Sequence, residues 1–238
     1  MPQLAHLRQK IRSVQKTKKI THALRLISMS FYNKLEKTKM PLDAYVDGLK
    51  VMFEQLLAHG DGWVNPVLAP RDLFDKRPLF IIVSTAKGWC GSLNSNLFRH
   101  IEQALFLEEN QEASFIIIGT KAINHFKSMQ LLKRYKNARL VASYGEVSSH
   151  NLFALADELV EKTVFGPFIY SSVSFFSNEA RSFFVQRTSK TTVLPIAFNL
   201  ANRLNEEDRD DEILWEQSKQ EVLDFVAGRY LRGQFVRF

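Results

Sequence analysis

From the first residues onward, apolar side chains return every three or four positions: Leu4, Leu7, Ile11 and Val14, then Ile20, Leu24, Ile27, Phe31 and Leu35. That rhythm is the apolar seam of a helix and predicts one from about Leu4 to Met40. At ~1.5 Å per residue, such a helix is roughly 55 Å long. Pro41 has no N–H and its ring clashes with the preceding turn, so a kink or break is expected there. Leu42, Tyr45, Val46, Leu49, Phe53, Leu56 and Leu57 resume the spacing, and Gly60 and Gly62 stop it. Residues 61–77, with Asn65-Pro66, Pro70 and mixed charges, read as a linker.

The pattern then changes period. Leu79 to Ser84 is a short apolar run of the kind found in buried parallel strands. A loop with Gly88 and Gly91 leads into a helix from about Ser92 to Glu109. Phe115 to Gly119 is a second buried strand, followed by a helix through Ala122 and Phe126. A short strand around Leu140-Val141-Ala142 precedes a helix from about Ser149 to Val164, whose apolar face is Leu152, Leu155, Leu159 and Val160 and whose wet face is Asp157, Glu158 and Glu161. Strands alternating with helices imply βαβ units and a mostly parallel, Rossmann-like α/β sheet. Ile169 to Phe176 and Ser182 to Leu194 differ: they flank Ser177-Asn178-Glu179-Ala180 and read as a long antiparallel hairpin at one side of that sheet. A last helix starts near Ser218 and carries Val222, Leu223, Val226, Tyr230 and Leu231. The organisation expected is a helical segment 1–60, an α/β domain 77–196 and a C-terminal helix 213–238.

Charge makes the first segment unusual. Residues 1–40 hold ten Lys or Arg and one acid, Glu36. The chain is +7 and this segment is +9, so the other 198 residues carry −2. The basicity is local to the long helix. A compact domain has no need of such a helix for itself, which points to a surface built to lie against something else. Its composition is also that of a mitochondrial transit peptide, but the helical spacing runs far beyond the usual peptide length. The single cysteine, Cys90, excludes an intrachain disulfide framework, and the six His are too scattered for metal-ligand spacing. No apolar run approaches the roughly 18–20 residues that span a bilayer.

Two stretches resemble the gamma subunit of F-type rotary ATP synthases. Leu7 to Ser28 is similar to that family's N-terminal pattern of Ile-Arg-Ser-Val, a Thr, then Lys-Ile-Thr-x-Ala-Leu. Gly88-Trp89-Cys90-Gly91-Ser92-Leu93-Asn94-Ser95-Asn96 is similar to its Gly-Leu-Cys-Gly-x-Leu-Asn-x-Asn after the first strand. The resemblance covers the chain to Phe238. It implies a central rotor shaft whose terminal helices form an antiparallel coiled coil inside a ring of alternating alpha and beta subunits. The α/β domain then sits near the epsilon subunit and the c-ring. It implies no cofactor, metal or catalytic residue in this chain, no insertion into the membrane, and a peripheral place on the cytoplasmic face of a bacterial inner membrane. The residues implied at subunit contacts are Arg8, Arg12, Lys16 and Lys19 for charge, and Leu7, Ile11, Val14, Ile20, Leu24 and Ile27 for apolar bearing and packing. Three positions depart from the family. Ala86 stands where an acid is usual, Pro41 lies within what is normally continuous helix, and Val222 to Phe238 resembles only the lead-in to a long C-terminal helix.

The same residues suggest other chemistries. The basic helix could neutralise nucleic-acid phosphates, but no aromatics interleave with Arg8, Arg12, Lys16 and Lys19 and no zinc or helix-turn-helix pattern is present. The Gly88–Gly91 loop is neither Gly-x-Gly-x-x-Gly nor a Walker loop, so its glycines read as a tight strand-to-helix turn with Ser92 or Asn94 as helix cap. Cys90 at that turn raises a small cysteine-dependent α/β hydrolase, with His100, His125 or His150 as base, although no nucleophile-elbow sequence surrounds it. The acids Glu206, Glu207, Asp208, Asp210, Asp211 and Glu212 read as a solvated loop.

Overall fold

The computed structural model describes residues 2–58, 77–107, 113–128, 138–148, 150–165, 170–196 and 216–238. The expected linker, apart from Arg77, and the acidic run at 206–212 lie outside the described residues. The chain divides into two compact units, residues 1–43 and 44–238.

The first unit is helix. Helix α1 spans Pro2–Ala58 and carries Pro41 inside it, so the break expected there is not made. A proline at this point loses one backbone bond and costs about 3 kcal/mol. Strong helical patterns on both sides, and the packing of the residues that follow it, carry the helix through. Within the first unit the polar side chains turn back on the helix: Thr17 and Thr21 hydroxyls donate to the carbonyls of Ser13 and Thr17, and Thr38 to that of Lys34.

The second unit is a three-layer α/β/α domain. Strands β1 (Pro78–Val83), β2 (Ser114–Ile118), β3 (Arg139–Tyr144), β4 (Ser172–Ala180) and β5 (Gln186–Leu194) form one sheet in the order β3-β2-β1-β4-β5. All neighbours are parallel except β4 and β5, which pair antiparallel. Alternation along β1 feeds two cores. Leu79 and Ile81, with Ile116, Val173 and Phe175, face α4 (Leu152–Val160) and α5 (Lys219–Arg237) through Leu155, Leu159, Leu231 and Phe235. Phe80 and Ile82, with Phe115, Ile117 and Phe176, face α2 (Leu93–Leu107) and α3 (Thr120–Ser128) through Leu97, Ile101, Leu105, Ala122 and Phe126. The central strands are buried on both faces, which is why they read as unbroken apolar runs.

Two boundaries differ from expectation. The hairpin turn is at 181–185, and Ser177 to Ala180 belong to β4, where Asn178 accepts from Thr188 and Glu179 from Ser189 across the pair. Helix α4 gives way at Glu161 to a wider π-type turn, Glu161–Phe165, where the Thr163 hydroxyl donates to the Leu159 carbonyl at 2.7 Å. Helix α5 begins as expected: the Ser218 side chain caps it by accepting from the Glu221 N–H.

The last turns of α1 pack antiparallel on α5. Phe53 lies with Leu223, Val226 and Ala227 and against the Tyr230 ring, Val46 meets Gly233, and Asp47 pairs with Arg237 at 3.2 Å. The C-terminal aromatics close this layer on the sheet: Phe235 meets Phe175 edge-on and Phe238 stacks on it, at 5.2 and 5.1 Å between centroids.

Gly119 closes the switch from β2 to α3. Its φ is +101°, and a Cβ there would sit 2.2 Å from the Ser84 carbonyl oxygen. Ser84 is committed, since its N–H donates to Ile118 O and its hydroxyl accepts from the Ala122 N–H of α3. Gly119→Ala is therefore expected to cost about 3 kcal/mol or more, from strain and clash together, read as a lower midpoint in urea unfolding.

At the sheet edge, Tyr144 of β3 donates to the Glu158 carboxylate at 2.8 Å, and Lys162 donates to the same oxygen at 2.6 Å. Lys162 and then Tyr144 hold the Glu158 carboxyl below its ordinary range. A lowered folded-state value means the contribution is present above the ordinary pKa of 4.5 and disappears as pH falls through the folded value. Glu158→Gln should thus be less stable than the parent at pH 7 by up to about 1 kcal/mol, as exposed ion pairs are. The difference should vanish toward pH 3 in paired denaturation curves.

Candidate functional site

The N-terminal helix exposes what a soluble surface normally hides. Leu4, Leu7, Ile11, Val14, Ile20, Leu24, Ile27, Phe31 and Leu35 are all between 49% and 67% exposed. Arg8, Arg12, Lys16 and Lys19 are exposed among them. The helix that the structure provides also divides the apolar row. At about 100° per residue, Leu4, Leu7, Ile11 and Val14 cluster on one line, and Ile20, Leu24, Ile27, Phe31 and Leu35 on another roughly 140° away around the axis. The single seam read along the sequence is therefore two. The four cations lie together on the wide side between the rows.

The motif loop after β1 sits at the point where the sheet order reverses, between β1's neighbours β2 and β4. Gly91 and, unusually for a bulky residue, Trp89 have positive φ, +55° and +64°. Trp89 is fully exposed at the tip. Asn94 does not cap α2. Its side chain reaches back to Thr85, accepting from the Thr85 N–H at 3.3 Å and donating to its hydroxyl at 2.8 Å. Asn96 donates to the Ser92 hydroxyl. Gly88 has the Lys121 side chain alongside, and Lys87 pairs with Glu146 at 3.6 Å. The motif residues Gly88, Cys90, Gly91, Asn94 and Asn96 thus brace one turn.

Cys90 has thiol contacts to the carbonyls of Gly88 and Lys87 and the hydroxyl of Thr85, all oxygens of its own loop. Two of the candidate bases are engaged elsewhere. His125 stacks on Phe98 at 4.0 Å and pairs with Glu102 at 3.3 Å, and His100 lies edge-on to Phe176. Among the described residues, no hydrogen bond joins Cys90 to a histidine. Among the described residues no three His, Cys, Asp or Glu side chains group as metal ligands, and no helix is long and apolar enough to cross a membrane. Sequence reasoning missed Trp89 as an exposed apolar tip. Its signal was a bulky residue inside a glycine turn.

Comparison with known proteins joins these features. The family model described as ATP synthase matches residues 3–238. The ATP synthase gamma chain of Francisella tularensis subsp. tularensis (strain WY96-3418) is 28% identical over 247 residues, covering 98% of this chain and 80% of that one. The ATP synthase gamma chain of Geobacter metallireducens is 27% identical over 240 residues, covering 98% and 78%. A chain from the central stalk and c-ring of the Tetrahymena thermophila mitochondrial ATP synthase superposes with a TM-score of 0.48 at 16% identity, covering 84% of this chain and 88% of that one. With its basic N-terminal helix, its glycine-cysteine loop and its mixed sheet matched along nearly the whole chain, this protein belongs to the gamma-chain family of ATP synthases.

Proposed function

We propose that this chain works as a central-stalk rotor component without an active site of its own, coupling proton flow to ATP synthesis or hydrolysis on neighbouring alpha and beta subunits. The observation that carries this reading is the acid-free helix of residues 2–35, which presents the nine apolar side chains of its two rows and eight cations to solvent in a chain of this family. An asymmetric shaft turning inside a ring would change which catalytic sites are open. Arg8, Arg12, Lys16 and Lys19 would face carboxylates of the ring, and Leu7, Ile11, Val14, Ile20, Leu24 and Ile27 would supply bearing and packing surface. The α/β domain, residues 77–196, would lie beside the epsilon subunit and the c-ring, at the cytoplasmic face of a bacterial inner membrane and peripheral to it. The helical segment 1–60 and the C-terminal helix 213–238 would form the shaft.

Two outcomes follow. The purified chain should not hydrolyse ATP or simple esters. Turnover that survives purification and is lost in Cys90→Ala would favour a cysteine hydrolase instead. Second, leaving nine large apolar side chains in water forgoes on the order of ten or more kcal/mol, at about 1.5–3 kcal/mol for each. A helix without a covered face is marginal. In a dilute monomeric sample, amides from Leu7 to Ile27 should exchange near the unfolded rate while Leu79 to Val83 stay protected. Adding the alpha/beta hexamer should protect the helix. Strong protection of Leu7 to Ile27 without a partner, or sequence-selective DNA binding at physiological salt, would count against the rotor reading.

A further inference from the structure

A hairpin turn is normally polar, because glycine, asparagine, aspartate and serine fit its backbone. The turn at 181–185 reads Arg-Ser-Phe-Phe-Val instead. Phe184 is 76% exposed and Val185 56%. The turn stands on a stem. Strand β4 pairs with β1 only as far as Phe176, opposite Ile82, and then runs on with β5 alone to Ala180. Four residues at ~3.4 Å each carry the turn roughly 14 Å beyond that pairing. The stem is polar: Ser177, Asn178 and Glu179 lie opposite Ser189, Thr188 and Arg187. The apolar surface of this arm is confined to its tip.

The tip is held in shape by its own bonds. The Arg181 N–H donates to the Val185 carbonyl at 2.9 Å, and the Ser182 hydroxyl accepts from the N–H groups of Phe184 and Val185. The Gln186 side-chain amide donates to the Phe183 carbonyl, and the Phe183 and Phe184 rings meet edge to face at 4.9 Å. An aromatic side chain on a turn braced in this way has little ordering left to lose on binding.

Charge narrows what the tip can meet. Residues 177–190 hold Arg181, Arg187 and Lys190 against one acid, Glu179, whose oxygens are engaged by Ser189 at 2.8 Å and Arg181 at 3.8 Å. Lys190 is drawn back over the Phe80 and Phe176 rings. A second copy of this chain would bring cation to cation. Anionic lipid is recognised through clusters of about four to eight cations, more than this arm carries. The surface that fits is a protein hollow wide enough for one aromatic ring, with carboxylates at its rim.

The place of the arm selects that protein. Helix α5 runs toward the arm: Leu223, near its start, lies with Ile196 past the root of β5, and Phe238, at its end, lies on Phe175. The last turns of α1 run the opposite way along α5, with Val46 beside Gly233 and Asp47 beside Arg237. The chain therefore enters this unit from the basic helix at the end from which the arm projects. A ring that holds the basic helix meets that end of the unit first.

We infer that the β4–β5 hairpin is a docking arm, whose Phe184 and Val185 side chains seat in a carboxylate-rimmed hollow of an alpha or beta subunit. The inference rests on the rotor reading and adds to it a contact made by the α/β domain itself.

The test uses the assembled complex with p-benzoylphenylalanine in place of Phe184, photolysed and resolved by mass spectrometry. Products joining this chain to an alpha or beta subunit are expected. Products with epsilon, the c-ring, lipid or a second copy of this chain, or none at all, would overturn the inference. In parallel, the full-length chain is titrated with the purified alpha/beta hexamer. Phe184→Ala should weaken binding at least fivefold, whereas Phe106→Ala, at a phenylalanine of α2 that is 68% exposed, should change it less than twofold. Equal effects, or none from Phe184→Ala, would overturn the arm while leaving the rotor reading standing. Arg181→Gln/Arg187→Gln should weaken binding at low salt and flatten its dependence on ionic strength. An unchanged salt dependence would count against the carboxylate rim and so against this occupant. If the parent chain does not bind the hexamer, the rotor reading itself fails and the docking arm with it.

Discussion

The side chain of Val46 rests on the bare backbone of Gly233, so close that a Cβ on Gly233 would lie 2.7 Å from Val46 Cγ2. Around that contact the last turns of α1 and the whole of α5 form one layer, with Phe53 among Leu223, Val226 and Ala227. The layer in turn covers the sheet through Leu231, Phe235 and Phe238. Helix-to-helix approach at this distance needs a residue without a side chain on one partner. The fold of the larger unit is thus joined at both ends of its sequence. Residues 44–58 and 219–237 are far apart along the chain and adjacent in the core.

That arrangement also explains the division of labour in a single helix. Val46 and Phe53 are fully buried, while the large aliphatic side chains and Phe31 between Leu4 and Leu35 are all at least 44% exposed. Apolar spacing alone does not distinguish the two ends of α1, since both repeat large apolar residues at helical intervals. The difference is that α5 supplies a partner for one of them. A helix of this kind is stable where it is covered and available where it is not, which is the physical content of the rotor reading.

The α/β class was legible because parallel strands buried on both faces leave unbroken apolar runs, as at Leu79 to Val83 and Phe115 to Ile118. Local features were harder. Ser177 to Ala180 looked like a turn because polar residues usually make turns. Cross-strand bonds from Thr188 and Ser189 hold them in β4 instead, and Phe183 and Phe184 occupy the turn. Pro41 looked like a break because its penalty is local, while the compensation comes from packing elsewhere along the helix. Asn94 looked like a cap, yet the nearby Thr85 gave it a better pair of bonds. The candidate interface was visible as charge and apolar spacing, but a linear reading cannot show azimuth. A jump from Val14 to Ile20 reads as one continuing row until a helix of 3.6 residues per turn is drawn through it.

The run of α1 before Glu36 has a consequence for time as well as affinity. A long stretch of positive charge with no anion of its own to cancel it projects a field well beyond contact distance at low ionic strength. An acid-rimmed partner would be drawn in and oriented before any apolar side chain touched it. Encounter rates of charge-matched proteins rise by about 10- to 1,000-fold through such steering. The cations of this helix would therefore govern how fast an assembly forms, and the leucines, isoleucines and valines beside them how long it lasts.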